Sequence, residues 1–203
     1  MNMNRWTNFY TEDPRVLSAP RSLCSEYAAS EFRKHDCSSI LDLGCGVGRD
    51  SFYLASQGLN VISLDSAYTG LFKAQSLVPA DYSIKCRLIR GDALMLPFPN
   101  ACFDGIYCFG LLHEFLPPDC DQAVEQVLKE AFRVLRDQGL LVLAVLAGDP
   151  TAGLPHVRLF TREMTNFEAY GLKCLAITKY RDIGCTGSND YLIWRGLYKK
   201  VIK

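Results

Sequence analysis

The sequence has no long apolar run: the longest unbroken one, residues 140–147, is far short of the about 20 residues that a membrane-spanning helix needs. It has no excess of either charge, with 22 basic and 22 acidic residues, which argues against affinity built on neutralising phosphates and so against a nucleic-acid partner. Nine cysteines include no CxxC pair, and several fall in apolar runs where a thiol behaves as a small hydrophobe. Neither a zinc site nor a disulfide framework is expected, and no metal is assigned. The first ten residues lack the basic-then-apolar order of a secretory signal, which points to a cytoplasmic protein with no membrane partner. Low-complexity stretches, internal repeats and apolar heptads are absent too, leaving a folded chain with a monomer as the default.

What is present suits one domain. At 203 residues, 49% hydrophobic and 22% charged, the chain can bury a single sizeable core. Residues 1–171 carry 15 basic and 20 acidic side chains (net −5), whereas residues 172–203 carry 7 and 2 (net +5). Lysines that blunt terminal edge strands account for the basic end; a basic rim for an anionic substrate is the sharper alternative. Short Ile, Leu and Val runs alternate with stretches of helical period, the pattern of an α/β fold with a buried parallel sheet. Strands are expected at residues 39–43, 60–65, 84–90, 104–109 and 139–146, with helices at 22–34, 48–57 and 66–78. The clearest helix follows Pro117 and Pro118, where Val124, Val127, Leu128, Ala131 and Leu135 form one stripe, with Asp119 or Asp121 as its cap and Gly139 to terminate it. A helix at 161–170 and strands at 174–181 and 191–199 complete the chain, the last two joined by a turn at Gly184, Gly187 and Asn189.

Residues 40–50 read as a buried strand running straight into a turn with Gly44, Gly46 and Gly48 and then into a helix. Such a turn lets a nucleotide-type ligand rest at a helix N-terminus. The dinucleotide pattern GxGxxG needs its third glycine where Arg49 stands, so a nicotinamide cofactor is disfavoured. Asp42, Gly44, Gly46 and Gly48 instead meet (Asp/Glu)xGxGxG, and here the chain resembles the class I S-adenosylmethionine-dependent methyltransferase family. Later segments match in order. Val61 to Asp65 is similar to the family's second strand with its terminal acid, and Arg90 to Ala93 with Leu96 to Phe98 to its adenine-binding segment. Gly105 to His113 is similar to its fourth strand and loop, and Leu128 to Leu143 to the helix and strand that follow. Residues 48–58 are similar to compact tellurite-resistance-type enzymes, and Leu96 to Phe98 with Leu112 to Glu114 to the group that methylates quinones, sterols and other metabolites.

The resemblance implies a Rossmann-like doubly wound sheet, seven-stranded and mostly parallel with an antiparallel C-terminal strand, and helices on both faces. It implies S-adenosylmethionine as cofactor, S-adenosylhomocysteine as product, and a cofactor site of Asp42, Gly44, Cys45, Gly46, Gly48, Asp65, Ser66, Asp92, Ala93 and Phe109. Asp65 would accept hydrogen bonds from the ribose hydroxyls, a role that can coexist with capping a helix. Asp92 would lie near the adenine amino group, Ala93 would leave room for the ring, and Cys45 would offer its backbone N–H. Residues 1–38 are read as a cap, 39–147 as the cofactor-binding core and 148–203 as the acceptor side.

The expected function is methyl transfer to a small-molecule acceptor by in-line displacement; the alternative is a non-catalytic S-adenosylmethionine sensor, which needs the same motifs. His113, at the end of the fourth strand, is the candidate general base. Its competing role is a histidine that bonds backbone or lines the pocket, beside a solvent-facing Glu114. Trp6, Phe9 and Tyr10 are expected to form a lid, with Tyr10 touching the cofactor. Tyr10, His113 and Arg158 are the substrate-side candidates, Arg158 as a binder of carboxylate or phosphate, with a solvated surface arginine as the competing reading. Arg21 has the same standing as Arg158, and His35 is assigned to the surface.

Overall fold

Near-continuous apolar runs make the central strands hydrophobic on both faces, and the chain solves this by covering both. The computed structural model describes residues 3–79, 81, 85–152, 156–184, 187 and 191–202. Strands β1 (Ser39–Leu43), β2 (Asn60–Asp65), β3 (Cys86–Arg90), β4 (Phe103–Phe109) and β5 (Leu135–Leu146) pair in parallel in the order β3-β2-β1-β4-β5. Strand β7 (Tyr191–Lys200) lies antiparallel to β5, and β6 (Leu172–Asp182) is antiparallel to β7 at the edge. This is the mixed seven-stranded sheet expected.

Along β5, Leu140, Val142 and Ala144 join one core cluster, while Leu141, Leu143 and Val145 join the other. Helices α3 (Leu23–Lys34) and α4 (Arg49–Ser56) seal the first with Ala28, Phe32, Leu54 and Ala55. Helix α6 (Cys120–Val134) seals the second with Val124, Val127, Leu128 and Ala131, the stripe read from the sequence. Near the top of the sheet, α1 (Met3–Glu12) is followed by the one-turn α2 (Arg15–Ser18) and lies against α5 (Tyr68–Leu77). There the Thr69 hydroxyl donates to the Thr7 carbonyl at 3.3 Å, and the Lys73 ammonium donates to the Tyr10 carbonyl. Among the described residues no helix is long and apolar enough to cross a membrane.

The start of α3 ties this amino-terminal region to the sheet. Ser22 is its N-cap, its side chain accepting from the Ser25 N–H at 3.1 Å. Asp182, at the end of β6, accepts from the Leu23 and Cys24 N–H groups at 2.7 and 3.0 Å, satisfying donors that the first helical turn leaves open.

Local chemistry overrides several expectations. Residues 161–170 form two 3-10 turns, Glu163–Thr165 and Glu168–Tyr170, rather than one helix. The Thr165 hydroxyl donates to the Arg162 carbonyl at 2.6 Å and Asn166 Oδ1 accepts from the Glu168 N–H at 3.1 Å, side-chain bonds that compete with a continuing helix. Gly139 does not end α6. The helix stops at Val134, Leu135 opens β5, and the chain bulges before Leu140 with Gln138 at φ 65°. Asp119 occupies the N-cap of α6 without a side-chain capping bond, and Asp121 is paired elsewhere. Ile84, Cys185 and Asn189 lie outside the described residues.

Gly105, in the middle of β4, is where α3 comes closest to the sheet. A Cβ there would meet the Phe32 ring at 2.6 Å and Ile40 Cδ1 at 2.9 Å. Gly105→Ala is therefore expected to destabilise the fold by about 1–3 kcal/mol through overpacking. Urea unfolding of the variant measures this; a midpoint equal to that of the wild type would refute the close approach.

Candidate active site

The carboxyl ends of β1, β2, β4 and β5 open on a cavity of about 290 Å³, at the position where open parallel sheets bind ligands. Its floor is the turn after β1. Gly44 and Gly46 there adopt φ of 84° and 57°, in the left-handed region that favours glycine. The Gly44 and Cys45 N–H groups both donate to the Leu64 carbonyl at 2.8 and 3.1 Å, and the Gly46 N–H donates to Asp65 Oδ2 at 2.8 Å. The Cys45 N–H expected to face a ligand is thus used inside the fold, although Cys45 does line the cavity. Gly48 does not line it. With φ 80° it is the N-cap of α4, and a Cβ there would strike the Phe52 ring at 2.7 Å, so this glycine serves the entry to the helix.

Asp65 occupies the tip of β2. Its Oδ1 accepts from the Ala67 N–H at 2.8 Å, so the carboxylate shapes the entry to α5 and still keeps lone pairs for a ligand. Burial raises its pKa. Ser66, Asp92 and Ala93 line the same end of the cavity; Asp92 is exposed at the rim, accepting from the Leu94 N–H at 2.9 Å. Asp42 is buried at the end of β1, takes a hydrogen bond from the Ser51 hydroxyl, and is pushed by burial up to about 8. Asp50 also faces the cavity, accepting from the Ser22 N–H and hydroxyl and from the Tyr107 hydroxyl, each at 2.8 Å.

Five acidic side chains (Asp42, Asp50, Asp65, Asp92 and Glu114) and two guanidiniums therefore line the cavity. Both guanidiniums are engaged. Arg49 donates to the carbonyls of Pro20, Gly184 and Ile183 at 2.8, 2.9 and 3.2 Å, and Arg5 donates to Glu114 Oε2 at 2.9 Å and to the His156 carbonyl at 2.7 Å. The lining suits a cation.

The opposite wall is aromatic. Trp6, Phe9 and Tyr10 from α1 cluster with ring centroids 5.1 to 5.5 Å apart, and Phe109 at the end of β4 is stacked on Tyr107 at 6.4 Å. Tyr10 rests on the glycine turn, its hydroxyl 2.6 Å from where a Gly46 Cβ would stand. His113 and Glu114 reach the cavity from a short 3-10 turn, Leu112–Glu114. His113 Nδ1 accepts from the Leu146 N–H at 3.4 Å, which assigns the ring proton to Nε2. Burial, with Arg5 nearby, pushes the imidazole down to about 3. A neutral ring with its donor at Nε2 is poorly suited to take a proton at neutral pH, so the geometry favours the backbone-bonded role over that of base. Glu114 is buried rather than solvent-facing, and burial holds its carboxyl up at about 7.

Arg158 does not line the cavity. Its guanidinium pairs with Asp121 Oδ1 at 2.6 Å and sits over the Phe160 ring, while its backbone N–H donates to the His113 carbonyl at 2.8 Å. It braces the turn that carries His113. Arg21 pairs with Glu26 on the surface, where His35 also lies. The site residues that sequence reasoning missed include Arg5, Arg49, Asp50, Glu114, Tyr191 and Ile193. Asp50 was visible only as an acid beside the glycine turn, and Arg5 gave no signal in its polar segment.

A family profile described as "Methyltransferase domain" matches residues 41–143, the stretch from β1 through most of β5. The chain belongs to the class I S-adenosylmethionine-dependent methyltransferase family. Over 107 residues it is 32% identical to an uncharacterised methyltransferase of Synechocystis sp., covering 53% of this chain and 46% of the relative. It is 35% identical over 107 residues to the 2-methyl-6-phytyl-1,4-hydroquinone methyltransferase of Synechocystis sp., covering 52% of this chain and 31% of the relative. The match spans less than half the length of either relative. Among solved structures, Burkholderia thailandensis 1,6-didemethyltoxoflavin-N1-methyltransferase, with 1,6-didemethyltoxoflavin and S-adenosylhomocysteine bound, has the same fold. It aligns with a TM-score of 0.70 at 19% identity over 89% of this chain and 79% of its own. The family's cofactor is a sulfonium cation, which agrees with the acidic lining.

A bound cation is expected to pull the Asp42 carboxyl down from about 8. Binding of S-adenosylmethionine at pH 7 should then release a proton and tighten as pH rises toward 8. Calorimetry in buffers of different ionisation enthalpy measures the release, which should shrink in Asp42→Asn. Equal heats in all buffers would refute the coupling.

Proposed function

We propose that this protein transfers the methyl group of S-adenosylmethionine to a small-molecule acceptor by in-line displacement. The observation that carries this reading is one cavity with two distinct walls, the glycine turn with Asp65 on one side and the α1 aromatics with His113 and Glu114 on the other. A sensor of the cofactor has no need of the second wall. The named relatives lend support, since one acts on a hydroquinone and one structure holds a small heterocycle.

In this reading Asp65 accepts from the ribose hydroxyls, while Gly44, Cys45, Gly46 and Ser66 form the surface on which the cofactor lies. Asp92 and Ala93 bound the adenine end, and Asp42 and Phe109 the methionine end. Gly48 acts through the entry to α4 alone. Tyr10 closes the cavity over the glycine turn, and the division into an amino-terminal cap, a core of residues 39–147 and an acceptor side follows the same walls. Segments from both ends of the chain serve the acceptor, because Val157, Tyr191 and Ile193 line the cavity beside α1. The cofactor, when bound, supplies an activated methyl group that needs no covalent help from the protein. What the chain supplies is placement and the exclusion of water.

Calorimetric titration with S-adenosylmethionine, S-adenosylhomocysteine and NAD tests the reading. The two adenosyl ligands are expected to bind, and Asp65→Ala to weaken them about 10- to 100-fold, as the loss of hydrogen bonds to a charged acceptor costs about 1.5–3 kcal/mol. A thermal melt of the variant shows whether the turn survives. Binding of NAD alone, or of none of the three by the wild type, would overturn the assignment.

A further inference from the structure

We propose that Glu114 is the general base of the transfer, and that its acceptor is a planar, apolar molecule presenting an O–H or N–H. This rests on the methyl-transfer reading above. Glu114 is the buried carboxylate on the acceptor wall, 9% exposed, and it lines the cavity beside the α1 aromatics. Its Oε2 is held by Arg5 at 2.9 Å, which fixes the carboxylate plane. Its Oε1 lies 3.5 Å from His113 Nε2, too far for a firm hydrogen bond, so this oxygen retains the capacity to accept a proton. Asp42 and Asp50, the other buried carboxylates that line the cavity, are occupied by Ser51 and by Ser22 with Tyr107.

The charged and titratable groups around Glu114 are Arg5 from α1 and His113 from its own turn. His156 meets Arg5 through its backbone carbonyl, and Arg158 is turned toward Asp121. Burial outweighs Arg5 and sets the carboxyl near neutrality, so above pH 7 it stands as a carboxylate that is a stronger base than an ordinary glutamate. Trp6, Phe9, Tyr10 and Phe109 give a planar acceptor ring faces to lie against. The His113 Nε2–H offers a donor that orients it.

The step balances. The acceptor X–H bond breaks and its proton passes to Glu114 Oε1, while the electron pair left on X forms the new X–CH3 bond. The carbon–sulfur bond breaks with its pair remaining on sulfur, which becomes a neutral thioether. A carboxylate and a sulfonium both lose their charge, a change that a desolvated cavity favours.

The test uses the full chain, its Glu114→Gln variant, and a panel of phenols, hydroquinones and N–H heterocycles with S-adenosylmethionine. For any probe that turns over, kcat/KM for the acceptor at saturating S-adenosylmethionine should, in the wild type, rise tenfold per pH unit below about 7 and level above it. Glu114→Gln should lose at least 100-fold at pH 8 and lose the acid limb, while its affinity for S-adenosylhomocysteine stays within threefold. A second readout needs no turnover. Trp6, whose ring lies 5.5 Å from the Arg5 guanidinium, should show an emission transition near pH 7 in a Trp194→Phe background, absent when Glu114→Gln is added. Transfer by Glu114→Gln within threefold of the wild type, or an unchanged acid limb, would overturn the base. If the wild type binds S-adenosylhomocysteine yet methylates no probe, the acceptor class is wrong. If it binds no adenosyl ligand, the methyl-transfer reading itself has failed instead.

Discussion

The Asp65 carboxylate joins the turns after two adjacent strands, adding to the bonds that the Gly44 and Cys45 N–H groups make with the Leu64 carbonyl. It accepts the Gly46 N–H from the loop after β1 and the Ala67 N–H from the loop after β2, so the tips of adjacent parallel strands are locked in one geometry. The left-handed glycines make the first turn possible, but the carboxylate decides where it stands. The cavity floor, the seat of Tyr10 and the direction of α5 all follow from that placement. A residue suited to ribose hydroxyls is thus also a structural staple, and the site is preorganised by the group that would bind there.

Around this staple the protein keeps an unusual amount of acid out of water. Asp42 and Glu114 are both held well above the ordinary carboxylate range by burial, and hydroxyl or guanidinium partners only partly offset it. Keeping such groups costs stability as pH rises through the interval between their unfolded and folded pKa values, because the folded state binds the protons more tightly. A cationic ligand would relieve that cost by favouring their charged forms.

Much of this was legible in the sequence. The continuous apolar run of β5, the Val124 to Ala131 stripe and the alternating glycines each express a local rule that tertiary structure leaves intact, so the sheet, α6 and the cavity floor could be read in advance. Residues 161–170 were misread because a Thr and an Asn there bond their own backbone, which outweighs a helical pattern. The Arg158 guanidinium was misplaced because Asp121, 37 positions away, captures it. The acceptor wall was the hardest part. Arg5 and Glu114 are 109 positions apart, and no spacing rule connects an exposed-looking arginine in a polar segment to a glutamate beside a histidine.

Helix α1 is fastened at three points that differ in kind: the Arg5 ion pair, the Tyr10 ring seated on Gly46, and the Lys73 ammonium on the Tyr10 carbonyl. Two of these meet at Tyr10 and the third lies five residues earlier, so releasing one leaves the others in place. A ligand seated against α1 would therefore be held by a helix anchored at both Arg5 and Tyr10. Under the methyl-transfer reading, substitutions at residues 5–10 would change how fast a bound molecule is released.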